Sequence, residues 1–309
     1  MERCEEMKLM EVSSLTKSFG KHVAVNDLSF SIEEGHCVAL LGANGAGKTT
    51  TLEMLSGLQK PTSGSVSFLD AQQGDYREYI GYLPQYPVFF PWMNGVEYLV
   101  LMGELSGMSK TKASTRAVEL LELLGIADAR KRKIGGYSGG MKQRLGIAQA
   151  LIHEPKLLML DEPVSALDPV GRREILELMK LMKETTTTIL FSTHILHDAE
   201  EVCDDVIMIH KGQLAITGSL SELRRKHQED VILITADVNL NAWARSIEEW
   251  NAVSKVNSDH NNTIEIYVKN AAEARKQLLV EIAERQLPIT SFTVAQTSLE
   301  DLFMEVVGK

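Results

Sequence analysis

Cysteine is scarce: Cys4, Cys37 and Cys203 are the only three in 309 residues, widely spaced and without a C-x-x-C pair. Such spacing argues against a disulfide framework or a cysteine zinc site and fits a reducing compartment. No apolar run approaches the roughly 18 residues that a membrane-crossing helix needs, so no segment is expected to span a bilayer by itself. The opening MERCEEMKLMEV mixes acids and bases and lacks the apolar stretch of a secretory leader, and none is expected. Positive charge is also in deficit. Lys and Arg number 32 against 42 Asp and Glu, a net charge of −10. That disfavours bulk nucleic-acid binding, which depends on neutralising phosphates. Repeats and low-complexity tracts are missing. What is present, 44% hydrophobic and 24% charged residues, is the composition of an ordinary soluble protein long enough for about two domains.

From Leu9 to Ile32, apolar and polar residues alternate around a turn signal at Phe19-Gly20-Lys21, as in a short antiparallel sheet. Cys37 to Leu41 predicts a buried strand and Lys48 to Gly57 a helix. "KPTSGSVSF" predicts a turn into a strand, and "REYIGYLPQ" a strand that ends at a proline and Gln85. From about Val96 to Ala150 the period is helical; "TRAVELLELLGI" spaces its leucines by three and four and closes on Gly125. "KLLMLDEP" and "TTTTILFSTH" are apolar strands on either side of the helix "PVGRREILELMKLMKE", which indicates a parallel sheet flanked by helices. "VIMIHKGQLAITG" reads as a hairpin turning at Lys211-Gly212. Beyond Gly218, the charged helix "SELRRKHQED" leads to a separate block. That block reads strand (Val231 to Val238), helix, strand or hairpin (Thr263 to Val268), helix, strand (Ile289 to Val294), short helix. The expected division is an α/β domain over 1–220, with a helical insert at about 90–155, and a small α/β domain over 221–309.

The stretch "GANGAGKTT" runs through Gly42, Ala43, Asn44, Gly45, Ala46, Gly47, Lys48, Thr49 and Thr50. Glycine at this density costs conformational entropy and is kept where backbone approaches a ligand closely. Gly42-x-x-x-x-Gly47-Lys48-Thr49 is the pattern of a phosphate loop, whose backbone N–H groups and helix N-terminus cradle phosphates. Lys48 is expected to reach the outer phosphates, and the Thr49 hydroxyl to hold Mg²⁺. A glycine-rich turn is the plainer alternative; the strand before and helix after favour the phosphate loop. In "LLMLDEP", Asp161 and Glu162 stand at the C-terminal end of a buried strand, where open α/β sheets bind ligands. Asp161 is expected to hold Mg²⁺ directly or through water, and Glu162 to polarise the attacking water as general base. Two solvated acids would be the plainer reading. In "YSGGMKQR", Ser138 is a good N-cap, and Gly139 and Gly140 leave room for a phosphate at a second helix start.

With these residues the sequence resembles the ATP-binding cassette (ABC) family over about residues 8–218. The family signature LSGGQ has Tyr137 here for Leu and Met141 for Gln, both beside the Ser-Gly-Gly, and its function is expected to survive. The resemblance implies a P-loop NTPase core with an N-terminal antiparallel β subdomain and an inserted helical subdomain, binding ATP and Mg²⁺. It implies that Phe19 stacks on adenine, where the family more often has Tyr. Gln85 would sense Mg²⁺ and the water and link to a membrane partner. Asp168, in "SALDP", would lie near a dimer seam, and His194, ending "ILFSTH", would contact the γ-phosphate. Singly, a core Phe, a turn Gln, an Asp-Pro helix start and a strand-end His are the plainer readings. Their joint occurrence in the family's order favours the functional ones. The family also implies a homodimer packed head to tail about a two-fold axis, the signature of one copy closing on the ATP of the other. Binding then favours closure, and hydrolysis removes that bias.

"FFPWMNGVEYL" through "GGMKQRLGIAQALIHEPKLLMLDEP", with the tail "TSLEDLFMEVV", resembles the ATPases of ABC-2-type exporters, which move drugs, antibiotics, lipids, polymers or sodium ions outward. A transmembrane permease is the implied partner, with the chain peripheral at the cytoplasmic face of the cell membrane, no nucleic acid, and cargo choice mostly in the permease. Other readings are a soluble ABC ATPase acting on ribosomes or DNA, an importer ATPase, or a binding module with a dead site. One cassette without a coiled coil disfavours the first, and the helix-rich C-terminal block disfavours the second. The presence of Lys48, Asp161, Glu162 and His194 disfavours the third. "RKRK", Arg130 to Lys133, reads as a solvated face, with contact to anionic lipid open if the chain sits at a membrane. "YPVFFPWM", Tyr86 to Met93, packs four aromatics and two prolines into eight positions. Such a cluster is either core or kept for a partner. The family resemblance, in which this region forms a groove for a cytoplasmic helix of the permease, favours docking.

Overall fold

The computed structural model describes residues 7–68, 75–165, 167–184, 187–226, 230–258, 262–295 and 299–300. The chain forms two compact units, the second beginning at Ser221. In the first unit, β1 (Lys8–Phe19) and β2 (His22–Glu33) pair antiparallel. Their turn uses Gly20 at φ +61°, a left-handed position that glycine takes without strain. Next come β3 (Cys37–Leu41), α1 (Lys48–Leu55), β4 (Ser63–Phe68) and β5 (Ile80–Leu83). Strand β4 pairs with the other side of β1, so the order of this three-stranded sheet is β2-β1-β4. The strand expected over "REYIGYLPQ" starts only at Ile80, because Tyr76–Tyr79 winds into a 3-10 helix. Asp75 causes this: its carboxylate accepts the Arg77 backbone N–H and also pairs with the Arg77 guanidinium. A local side-chain cap thus competes successfully with the sheet ladder.

Three helices follow, α2 (Gly95–Leu105), α3 (Lys110–Leu123) and α4 (Gly139–Leu151). Asn94 and Glu97 form a reciprocal capping box at the start of α2. Gly125, at φ +65°, ends α3 as its sequence signal predicts. The chain then alternates through β6 (Leu157–Asp161), α5 (Pro169–Glu184), β7 (Thr188–Thr193), α6 (Leu196–Val202), β8 (Asp205–His210) and β9 (Gln213–Ser219). These strands build a six-stranded sheet of order β5-β6-β7-β3-β8-β9, parallel except for the edge strand β9. Every residue of β3, β6 and β7 is buried, which is why they read as unbroken apolar runs. Register pairs Leu41 with Thr193 and Asp161 with Ser192, so the C-terminal ends of the three strands lie side by side. One core joins the two sheets through Leu15, Leu28, Leu40, Leu52 and Met159.

Helix α7 (Leu220–Lys226) stands at the division. The second unit runs β10 (Asp230–Ala236), α8 (Asn241–Ile247), β11 (Val253–Ser258), β12 (Thr263–Val268), α9 (Ala271–Glu284), β13 (Ile289–Ala295). Its sheet is antiparallel with order β11-β12-β10-β13, a split βαβ arrangement. Alternate residues Ile232 and Ile234 of β10, and Ile264 and Ile266 of β12, bury one sheet face with Trp243, Ile247 and Leu278 from the two helices. Of the tail "TSLEDLFMEVV", only Leu299 and Glu300 fall within the described residues. Among those residues no helix is long and apolar enough to cross a membrane.

Candidate nucleotide site

The glycines of the β3–α1 loop are held by both dihedral angle and space. Gly45 and Gly47 have φ of +80° and +105°. A Cβ on Gly42 would stand 2.5 Å from the Ile209 carbonyl oxygen, and one on Gly47 would stand 2.6 Å from that of Ala24. Gly47 is the N-cap of α1 and brings no side chain to the first helical N–H groups. This is the arrangement that holds anions at helix starts. Lys48 follows directly and is buried; its ammonium donates to the Gly42 carbonyl at 2.9 Å and lies 3.3 Å from Glu162 Oε1.

The neighbouring strand ends supply the acids. Asp161 is fully buried at the end of β6, and its Oδ1 accepts the Ser192 hydroxyl at 2.6 Å. The same hydroxyl accepts the Glu162 backbone N–H at 2.9 Å, locking β6 to β7 where the chemistry is expected. The Thr49 side chain also favours the ionised form of Asp161, which couples the phosphate loop to the acid. Burial holds the Asp161 carboxyl above its usual range despite the Ser192 hydrogen bond and the nearby Thr49 side chain, and its Oδ2 is buried without a partner. A buried orphan carboxylate oxygen beside a threonine hydroxyl fits a hard divalent cation with oxygen ligands. Glu162, at φ +49°, turns the chain out of β6, and its buried carboxylate lies between Lys48 and His194. His194 Nδ1 is 2.9 Å from Glu162 Oε2 and 3.0 Å from Oε1.

Lys48 and Glu162 border a cleft of about 480 Å³ lined also by Thr49, Thr50, Gln85 and Phe19, with Asn44, Gly45, Gly47, His22 and Ala24; Asp161 and His194 stand behind Glu162 and do not line it. Phe19 is 47% exposed, its ring 5.1 Å from the Lys17 ammonium. His22 and Ser192 were missed in the sequence. The signal for His22 was available, because a two-residue turn after Phe19 pairs the two positions directly. Ser138, Gly139, Gly140 and Asp168 do not line this cleft. Ser138 caps α4, its hydroxyl accepting the Met141 N–H at 3.2 Å, and Gly139 is open to solvent. Asp168 accepts the Gly171 N–H at 2.8 Å at the start of α5 and is exposed. Gly140 faces Leu167, so these residues form a second, outward-facing group. Buried Gln143 ties α4 to the end of β6 by donating to the Pro163 carbonyl at 2.8 Å.

Tyr137, the departure from the signature, is a structural anchor. It is buried, and its hydroxyl donates to the Ala129 carbonyl at 2.8 Å above Gly95. The stretch Tyr86 to Met93 is divided. Phe89 packs edge-on against Tyr98, while Tyr86, Val88 and Trp92 are 79%, 88% and 66% exposed.

Comparison with known proteins matches residues 25–165 to the family model "ABC transporter" and residues 218–307 to "ATP-binding protein DrrA1-3-like, C-terminal domain". The uncharacterised ABC transporter ATP-binding protein YxlF of Bacillus subtilis is 46% identical over 97% of this chain and 99% of its own. The bacitracin transport ATP-binding protein BcrA of Bacillus licheniformis is 32% identical over 97% of each chain. A solved dimeric cassette, MJ0796 in a post-hydrolysis state bound to ADP and Pi, superposes with TM-score 0.62 at 26% identity, covering 69% of this chain and 99% of that one.

Proposed function

Because the chain belongs to the ATP-binding cassette family of transporter ATPases, we propose that it is the ATP-hydrolysing subunit of an exporter, working as a head-to-tail pair beneath a transmembrane permease. The observation that carries the catalytic reading is Glu162, a buried carboxylate held between Lys48 and His194 at the mouth of the cleft. ATP, when bound with Mg²⁺, supplies the phosphoryl group that passes to water. The glycine loop and the first N–H groups of α1 hold the phosphates, and Lys48 neutralises their charge. Thr49, Asp161 and Gln85 hold the metal, while Phe19 offers its exposed face to the base. Glu162 takes the proton from the attacking water, and His194 orients that carboxylate and the outer phosphate.

Pairing follows from the outward-facing Ser138, Gly139, Gly140 and Asp168. They have the chemistry of a phosphate site but do not line their own chain's cleft, so they serve a second copy. The dimeric cassette among the structural neighbours supports this. The exporter direction is supported by the bacitracin transport relative and by the DrrA1-3-like C-terminal match. The exposed aromatic ridge after Gln85 is the permease docking surface, which sets the chain at the cytoplasmic face of the membrane. Phe90→Ser with Trp92→Ser should lower co-purification of the partner permease by about tenfold or more. Co-purification at the wild-type level would put docking elsewhere, and no permease co-purifying with the wild type would remove the transporter assignment.

A further inference from the structure

The basic run Arg130 to Lys133 has no part in the nucleotide cleft, yet the fold returns it to the aromatic ridge. Ile134 N–H donates to the Met93 carbonyl at 2.9 Å, and Gly135 N–H to that of Pro91 at 3.0 Å. Asn94 and Lys133 form an antiparallel bridge beside them. Phe90 and Trp92 stack with centroids 5.3 Å apart, and Phe90 rests edge-on against Tyr98, so the ridge is formed in advance. Arg130 faces Glu122 at 3.9 Å. Lys131, Arg132 and Lys133 are exposed, and none has an acidic partner among the described residues. An apolar ridge and three unpaired cations therefore share one short backbone ladder.

We propose that Lys131, Arg132 and Lys133 are the electrostatic half of the docking surface and recognise acidic side chains on the permease segment that covers Phe90 and Trp92. This rests on the docking reading above and adds the chemistry of the partner. The whole chain carries −10, so an acidic segment is repelled by most of the molecule and attracted at this edge, which orients its approach. An anionic bilayer is the weaker match. Lipid recognition by charge uses clusters of about four to eight cations, and here three are unpaired. A ridge fixed by Pro87, Pro91 and backbone hydrogen bonds also suits a segment of defined shape better than fluid headgroups.

The test measures binding kinetics of the full chain to the purified permease in phosphatidylcholine nanodiscs, from about 50 to 500 mM salt. Lys131→Glu with Arg132→Glu and Lys133→Glu should cut the association rate at low salt by about tenfold and flatten its salt dependence, with the dissociation rate changing less. The same three positions changed to Gln should fall between, and an unaltered melting temperature shows that either variant is folded. If the Glu variant binds with the wild-type rate and salt slope while Phe90→Ser/Trp92→Ser does not bind, docking stands and the cation proposal is overturned. If the Phe90/Trp92 variant binds normally, the docking reading itself fails. Loss of binding to vesicles of about one-third phosphatidylglycerol, with permease binding intact, would assign the cations to lipid and also overturn the proposal.

Discussion

Glu162 combines three properties that rarely meet in one acid: burial, a left-handed backbone, and contacts to both a lysine and a histidine. As the proposed general base, it should be replaceable by Gln for binding but not for turnover. Glu162→Gln should keep ATP affinity and lower hydrolysis by about two to four orders of magnitude, measured as phosphate release. Wild-type hydrolysis in that variant would remove the assigned role. Asp161 makes a different prediction. Burial raises its carboxyl in the folded state, so folding favours the protonated form. Its contribution to stability is present below the ordinary carboxylate range and lost as pH rises through the raised value. At neutral pH the ionised group therefore costs stability unless a cation sits beside it. In chelator, Asp161→Asn should melt higher by roughly 2–4 °C, about 1 kcal/mol, while Mg²⁺-dependent hydrolysis is lost. A lower melting temperature would mean that the Ser192 hydrogen bond and the Thr49 side chain outweigh burial.

At the scale of elements, the site depends on how closely α4 lies on β5. Gly81 is the contact: a Cβ there would stand 2.0 Å from the Ala150 carbonyl oxygen, and one on Gly146 2.5 Å from Leu83 Cδ1. Backbone cannot yield as a side-chain tip can, so Gly81→Ala should destabilise the first unit by about 1–3 kcal/mol in urea unfolding. Gly81→Ala at wild-type stability would show that α4 can lift from the sheet. The helices and strands themselves were largely legible, because cap residues and apolar periods are local signals. Asn94, Ser109 and Gly125 stand where the helical periods begin and end. The start of β5 was not, since the Asp75–Arg77 contact that delays it has no periodicity to read. Helix α6, only seven residues long and starting just past His194, was likewise too short to show a period.

At the scale of the whole molecule, each chain carries a phosphate cleft and a separate outward-facing Ser138 group. Lys48→Ala spoils the first and Ser138→Arg the second, so each variant alone should be inactive. Mixed, the two should regain ATPase activity, because one of the two composite sites is then built from undamaged halves. No recovery in verified mixed dimers would mean that each chain hydrolyses alone. The aromatic ridge belongs to the same scale. It starts beside Gln85 of the cleft and is hydrogen-bonded to the segment that leads into Ser138, so the proposed docking surface adjoins the approach to both groups.

The sequence by itself determined the phosphate loop, the two acids, the second helix start and the apolar strands, because each is a run of neighbours whose chemistry needs no distant partner. Gly42 to Thr49 is legible from its spacing together with the apolar strand before it and the helix after it. Tertiary structure alone decided that Ser192 joins Asp161 to Glu162 and that Arg130 to Lys133 stands beside Phe90 and Trp92. These pairs lie about 30 residues apart or more, or depend on a strand register, and no local period connects them. It also decided which glycines the packing within one chain requires. Gly139 meets nothing when a Cβ is added, whereas Gly81 meets a backbone oxygen, a difference set by the packing of α4 on β5 rather than by either residue's neighbours in the chain.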